Sequence, residues 1–99
     1  MSRVVLTLFC SVHDGEAVAA ALRDRLHLPV HQRREAVLGR DFDDAATGER
    51  VAGMLARMAV EVELPGDRVA EAVAAAQAAR RRLPFRWRTV AILDGGRVE

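Results

Sequence analysis

The sequence predicts an α+β domain of ferredoxin-like βαββαβ topology: a four-stranded antiparallel sheet with two helices on one face. Three observations carry this reading. Two segments with helical apolar spacing each lie between β-rich runs, so the order strand–helix–strand occurs twice. Each half closes alike, the first at Val37-Leu38-Gly39-Arg40 and the second in a run from Phe85 to Leu93 that ends at Asp94-Gly95-Gly96. The 99 residues, 51% hydrophobic, fit one domain, residues 1–99, with a real but small core.

Residues 3–10 are rich in β-formers, Val4-Val5-Leu6-Thr7-Leu8-Phe9, and read as the first strand. Asp14 is a good helix N-cap, because its carboxylate can accept orphan amide hydrogens. Val18, Leu22 and Leu26 recur at helical spacing, which predicts a helix over 15–26 that Leu28-Pro29 ends. Residues 30–38 form the second and least apolar strand, and 39–48 a polar loop with Asp41, Asp43 and Asp44. A third strand spans 51–64; Met58, Val60, Val62 and Leu64 share one face, Glu61 and Glu63 the other. After Pro65-Gly66, Asp67 caps a second helix that runs to Arg82 through Val69, Val73 and Ala76. The arginines 80–82 suit the negative end of its dipole. The fourth strand spans 85–93.

Two right-handed crossovers put both helices on one sheet face. The other face has no cover within the chain. Yet the first strand is apolar on both parities, and the fourth sets Val90 and Ile92 against Ala91 and Leu93. Strands apolar on both faces are usually buried on both faces, so this pattern predicts packing on another subunit, with Glu61 and Glu63 paired or at a wet rim.

Composition excludes several functions. The net charge is +1, which provides no bulk field for nucleic acid or a membrane surface. All fifteen basic residues are arginine. The N-terminal apolar run is too short for a signal-peptide core or a membrane span, which predicts a cytoplasmic protein that is not membrane-embedded. The single cysteine, Cys10, rules out an internal disulfide. There is no nucleophile elbow, phosphate loop or carboxylate pair beside a cleft, so no enzyme is expected. Trp87 among Arg86 and Arg88 lacks the aromatic pattern of an RNA-binding sheet, so no nucleic acid is expected either. Arg86 and Arg88 share a face and are expected to pair with Glu61, Glu63 or a bound anion.

Cys10-x-x-His13 has spacing compatible with a divalent transition metal, with His27 and His31 as further imidazoles. The competing reading is a Cys10 that packs as a small apolar residue beside solvated histidines, and it is favoured because free cysteine is usually buried. Met54 and Met58, four apart on a strand, read as core or interface. Asp41, Asp43, Asp44 and Glu49 lack the spacing of a calcium loop and read as a solvated charged loop that a partner could grip.

Taken in order, several short motifs resemble the PII-like signalling superfamily. They are Val5-Leu6-Thr7-Leu8 with Cys10, Gly39-Arg40, Glu49-Arg50-Val51-Ala52-Gly53, Val60-Glu61-Val62-Glu63-Leu64-Pro65, Trp87, and Ile92-Leu93-Asp94-Gly95-Gly96-Arg97-Val98. The chain looks closest to a small uncharacterised branch often encoded beside heavy-metal efflux pumps. The resemblance implies a homotrimer that binds a small ligand, such as an adenine nucleotide, between subunits and signals through the loop after the second strand to a membrane transporter or efflux pump. It implies ligand contacts at Gly39 and Arg40, with Arg88 and Asp94 as further candidates near the end of the fourth strand. Glycine lets a backbone approach phosphate closely and guanidinium donates to it bidentately. The chain departs from the nucleotide-binding members at three points. Arg80-Arg81-Arg82-Leu83-Pro84 stands where they carry a glycine-rich phosphate loop, Ile92 and Asp94 fall near their late arginines, and there is no tyrosine for uridylylation. The alternative implied is a metal-binding accessory protein of an efflux system, with Cys10 and His13 as ligands.

Overall fold

The computed structural model describes residues 2–38, 54–81 and 83–99. Its elements are β1 (Arg3–Ser11), α1 (Val12–Leu26), β2 (His31–Leu38), β3 (Met54–Pro65), a 3-10 turn (Gly66–Arg68), α2 (Val69–Ala79) and β4 (Arg86–Ala91). The strands form one antiparallel sheet in the order β2-β3-β1-β4. This is the expected ferredoxin-like βαββαβ arrangement.

Period-two alternation along β1 and β3 builds the core. Leu6, Leu8 and Cys10 on β1 face the helices together with Met58, Val60, Val62 and Leu64 on β3. Against them α1 packs Val18, Ala19, Leu22 and Leu26, and α2 packs Ala72 and Ala76. Small alanines on α2 let it lie close to α1. Contact is close at Gly15, where an added Cβ would come 2.5 Å from Met58 Sδ and 2.7 Å from its Cβ. The helices do not reach across β2, whose Gln32, Arg34, Ala36 and Leu38 are exposed on that side.

The element ends differ from expectation for local reasons. Helix α1 begins at Val12, capped by Ser11, whose hydroxyl accepts the Asp14 N–H at 3.2 Å. Asp14 therefore sits in the first turn, not at the cap. The helix closes through His27 in the left-handed region (φ 56°), where its N–H donates to the Arg23 carbonyl at 2.9 Å. Asp67 lies in the 3-10 turn before α2, and α2 ends at Ala79 because Arg80 is extended (φ −66°, ψ 150°). The first residues expected of the third strand, 51–53, lie outside the described residues, as does Arg82. Strand β4 is shorter than expected, although the Ile92 N–H still donates to the Arg3 carbonyl at 3.2 Å. No helix among the described residues is long and apolar enough to cross a membrane.

Candidate functional site

No described helix or strand packs on the side of the sheet opposite the helices, although Thr7, Leu55, Arg57 and Ala59 on that side are buried, and register fixes what meets there. Alternation leaves Val5, Thr7 and Phe9 of β1, Ala59, Glu61 and Glu63 of β3, His31 and Arg33 of β2, and Arg86, Arg88 and Val90 of β4 on this open face. In one row His31 stands opposite Glu61, Glu61 opposite Thr7, and Thr7 opposite Arg88.

Glu61 is the hub. Arg33 donates from Nη1 to Oε2 at 3.0 Å and from Nη2 to Oε1 at 3.1 Å, a bidentate pair. The Thr7 hydroxyl donates to Oε1 at 2.9 Å. Arg33 also reaches Glu35 at 3.6 Å. The hydrogen bond from Arg33 holds the Glu61 carboxyl below the usual carboxylate range, against a smaller opposing effect of burial. Beside this hub, Arg3 pairs with Glu63 through Nε at 3.5 Å. A cleft of about 430 Å³ opens between them, lined by Arg3, Val5, Leu28, Pro29, His31 and Glu61.

Arg86 and Arg88 do share a face, as expected, but they do not pair with Glu61 or Glu63. Those carboxylates are taken by Arg33 with Thr7 and by Arg3. The Arg88 guanidinium instead stands 5.1 Å from the centre of the Phe9 ring, a cation–π contact. Among the described residues neither arginine has a carboxylate partner. Asp94 is exposed beyond β4 and likewise unpaired. Gly39 and Arg40 lie outside the described residues, as do Asp41, Asp43, Asp44 and Glu49.

The possible metal ligands are not brought together. Cys10 is buried in the core between helices and sheet, whereas His13 is exposed on the first turn of α1. Burial pushes the Cys10 thiol up to about 11; the nearby Asp14 charge adds to this and Arg57 opposes it. His27 caps α1, His31 sits on the open face, Met58 is core, and Met54 is exposed on the same side of β3. No group of three or more histidine, cysteine or carboxylate side chains among the described residues is placed to hold a metal ion.

Sequence reasoning missed two residues. Arg33 partners Glu61 only because β2 pairs with β3, and nothing in a single strand reveals its neighbour. Asp14 has a second role: its buried carboxylate accepts the Arg81 N–H at 3.0 Å, tying the start of α1 to the α2–β4 connection. A shallow pocket of about 370 Å³ opens there, lined by Ser11, His13, Asp14, Arg81 and Leu83.

No protein-family model and no curated protein matches the chain. Solved structures do. A DUF3240 family protein from Shewanella baltica superposes with a TM-score of 0.79 at 14% identity, covering 100% of this chain and 99% of that one. A functionally unknown protein from Pediococcus pentosaceus gives 0.65 at 9% identity, covering 99% of each chain. A Bacillus cereus protein related to NIF3 gives 0.62 at 12% identity over 94% of this chain, which spans 26% of that one. At these identities the shared property is the fold.

Proposed function

We propose that this chain is a cytoplasmic, homotrimeric regulatory protein of the PII-like kind, not an enzyme. A small anionic ligand such as an adenine nucleotide binds between subunits near Gly39 and Arg40. The segment 39–50 then changes its affinity for a transporter or efflux pump.

The observation that carries this reading is the makeup of the open face. Its carboxylates are already paired within the chain, Glu61 with Arg33 and Thr7, and Glu63 with Arg3. Between them lie Val5, Phe9 and Ala59. Pairing within the chain spares these two carboxylates from being stranded when the face is buried against a copy, while Arg86 and Arg88 on the same face stay available to an anion or to a carboxylate of the copy. The full-length match to the DUF3240 protein supports the fold that this reading requires. The metal-accessory alternative finds no such support, because its principal ligand is a buried, protonated thiol.

The test joins mass to ligand binding. Light scattering of the purified chain should give three copies or a multiple of three, and Phe9→Glu on the open face should dissociate them. In a thermal-shift panel of nucleotides, simple anions and divalent metals, a nucleotide or anion should raise Tm. Arg40→Ala should weaken that ligand about tenfold or more, since a charge-assisted hydrogen bond contributes about 1.5–3 kcal/mol. A monomer that no nucleotide or anion stabilises sinks the reading.

A further inference from the structure

The two edges of the sheet are not equivalent. Edge β2 carries Gln32, Arg33, Arg34 and Glu35 in succession, which blunts it against strand addition. Edge β4 has no proline and no carboxylate, its two charges, Arg86 and Arg88, both lie on the face opposite the helices, and all six of its residues are exposed. It continues into Ile92 and Leu93. Trp87 is 48% exposed, Val90 53% and Leu93 96%, so large apolar side chains stand on both faces of this edge. Its hydrogen-bonding direction is fixed by one contact. The Ile92 N–H points inward to Arg3, so by alternation the backbone groups of residues 86, 88 and 90 also point inward. Those of Trp87, Thr89, Ala91 and Leu93 point outward and meet no strand among the described residues.

We infer that β4 and its extension to Asp94 form a twofold edge, on which a second copy of this chain adds in antiparallel register centred on Val90. Charge identifies the occupant. Arg86 and Asp94 bracket the edge, carry opposite charges, and have no ion-pair partner among the described residues. Antiparallel pairing about Val90 sets Arg86 of each copy opposite Asp94 of the other. The same register sets Trp87 opposite Leu93, on the helix side of the sheet. It also makes the outward-pointing residues meet as hydrogen-bonded pairs, Trp87 with Leu93 and Thr89 with Ala91, while Val90 meets Val90 as a close non-hydrogen-bonded pair. One patch thus supplies both halves of the contact, as a twofold interface requires.

This contact is additional to the packing of open faces proposed above and does not depend on it. Alone it gives two copies; joined to a threefold packing it gives six. The test is charge reversal at two exposed positions that make no contact needed for folding. Sedimentation should show Asp94→Arg and Arg86→Asp each weakening association at least tenfold, with the double variant restored to near wild type. The only tryptophan, Trp87, reports the edge directly. Its emission should shift to the blue as the wild type associates, and Leu93→Asp should abolish the shift. Three results overturn the inference. An assembly that ignores all these variants removes the edge and leaves the proposed function standing. Loss in the single variants without rescue in the double removes the Arg86–Asp94 register. A wild type that is monomeric at every concentration removes the edge together with the proposed trimer.

Discussion

Arg33 on β2 grips Glu61 on β3 through two nitrogens and two oxygens, at 3.0 and 3.1 Å, on the face of the sheet opposite the helices. This pair makes stability depend on acidity in a defined direction. The Glu61 carboxyl is held below its ordinary value of 4.5 in the folded chain, first by the Arg33 hydrogen bond. A depressed folded value contributes stability that is fully present above the unfolded value. That stability is lost as pH falls from about 4.5 through the folded value. Urea unfolding of wild type and Glu61→Gln, compared at pH 7 and pH 3, should therefore show the variant's deficit shrinking in acid. A deficit that stays constant with pH would mean that the carboxylate's charge is not what stabilises the sheet.

The Asp14 carboxylate joins two segments 67 residues apart by accepting the Arg81 N–H at 3.0 Å. Asp14→Ala removes the acceptor and should cost about 1–3 kcal/mol, the range for stranding a hydrogen-bonding group. Asp14→Asn keeps a carbonyl oxygen at the same place and should cost less. Chemical denaturation of the two variants checks the order. Equal losses would show that the charge, not the hydrogen bond, is what matters at this position.

These two contacts mark where sequence reading succeeds and stops. The strands and helices were legible because their apolar residues repeat at two or at 3.6, and Val60-Glu61-Val62-Glu63-Leu64 states its faces outright. The start of α1 was not legible, because Ser11 and Asp14 are both good caps three residues apart and the length of β1 decides between them. The end of α2 was also hidden. Ala78-Ala79-Arg80-Arg81 reads as helix, yet Arg80 is extended and the Arg81 N–H is engaged by Asp14 from the other half of the chain. At the open face, alternation puts Glu61 and Arg88 on one surface. Which arginine Glu61 takes follows from strand order, and β3 lies between β2 and β1, away from β4. For Gly39 and Arg40 the sequence resemblance is the whole basis of the assignment.

Gly15 lies where α1 crosses β3, and a Cβ there would come 2.5 Å from Met58 Sδ and 2.7 Å from Met58 Cβ. The second contact is to the root of the side chain, so a new rotamer alone cannot relieve it. Gly15→Ala should therefore destabilise by about 1–3 kcal/mol, the usual cost of overfilling a packed core, despite alanine's better helix propensity. Combining it with Met58→Ala, which clears Sδ but keeps Cβ, should recover only part of the overpacking cost in a double-mutant cycle. A stabilised Gly15→Ala would mean that the helix lifts off the strand without penalty.

The surroundings of Cys10 bear on whether the chain could carry metal. The thiol faces the core and is pushed up from 9.0 to about 11, chiefly by burial and then by the Asp14 charge. A shift of this size lowers the thiolate fraction at pH 8 about a hundredfold relative to an unshifted thiol, and burial slows access further. The native chain should therefore react with a disulfide reagent such as DTNB far more slowly than the denatured chain. Cobalt added to the native chain should give no thiolate charge-transfer band. Asp14→Asn removes the carboxylate charge that raises the thiol, so labelling should accelerate in that variant, while Cys10→Ser should abolish labelling at a cost of about 1–3 kcal/mol, because its hydroxyl is buried in the apolar core. Rapid stoichiometric labelling of the native wild type, or a cobalt–thiolate band that vanishes in Cys10→Ser, would mean that the β1–α1 junction opens readily. The metal-accessory reading would then displace the regulatory one.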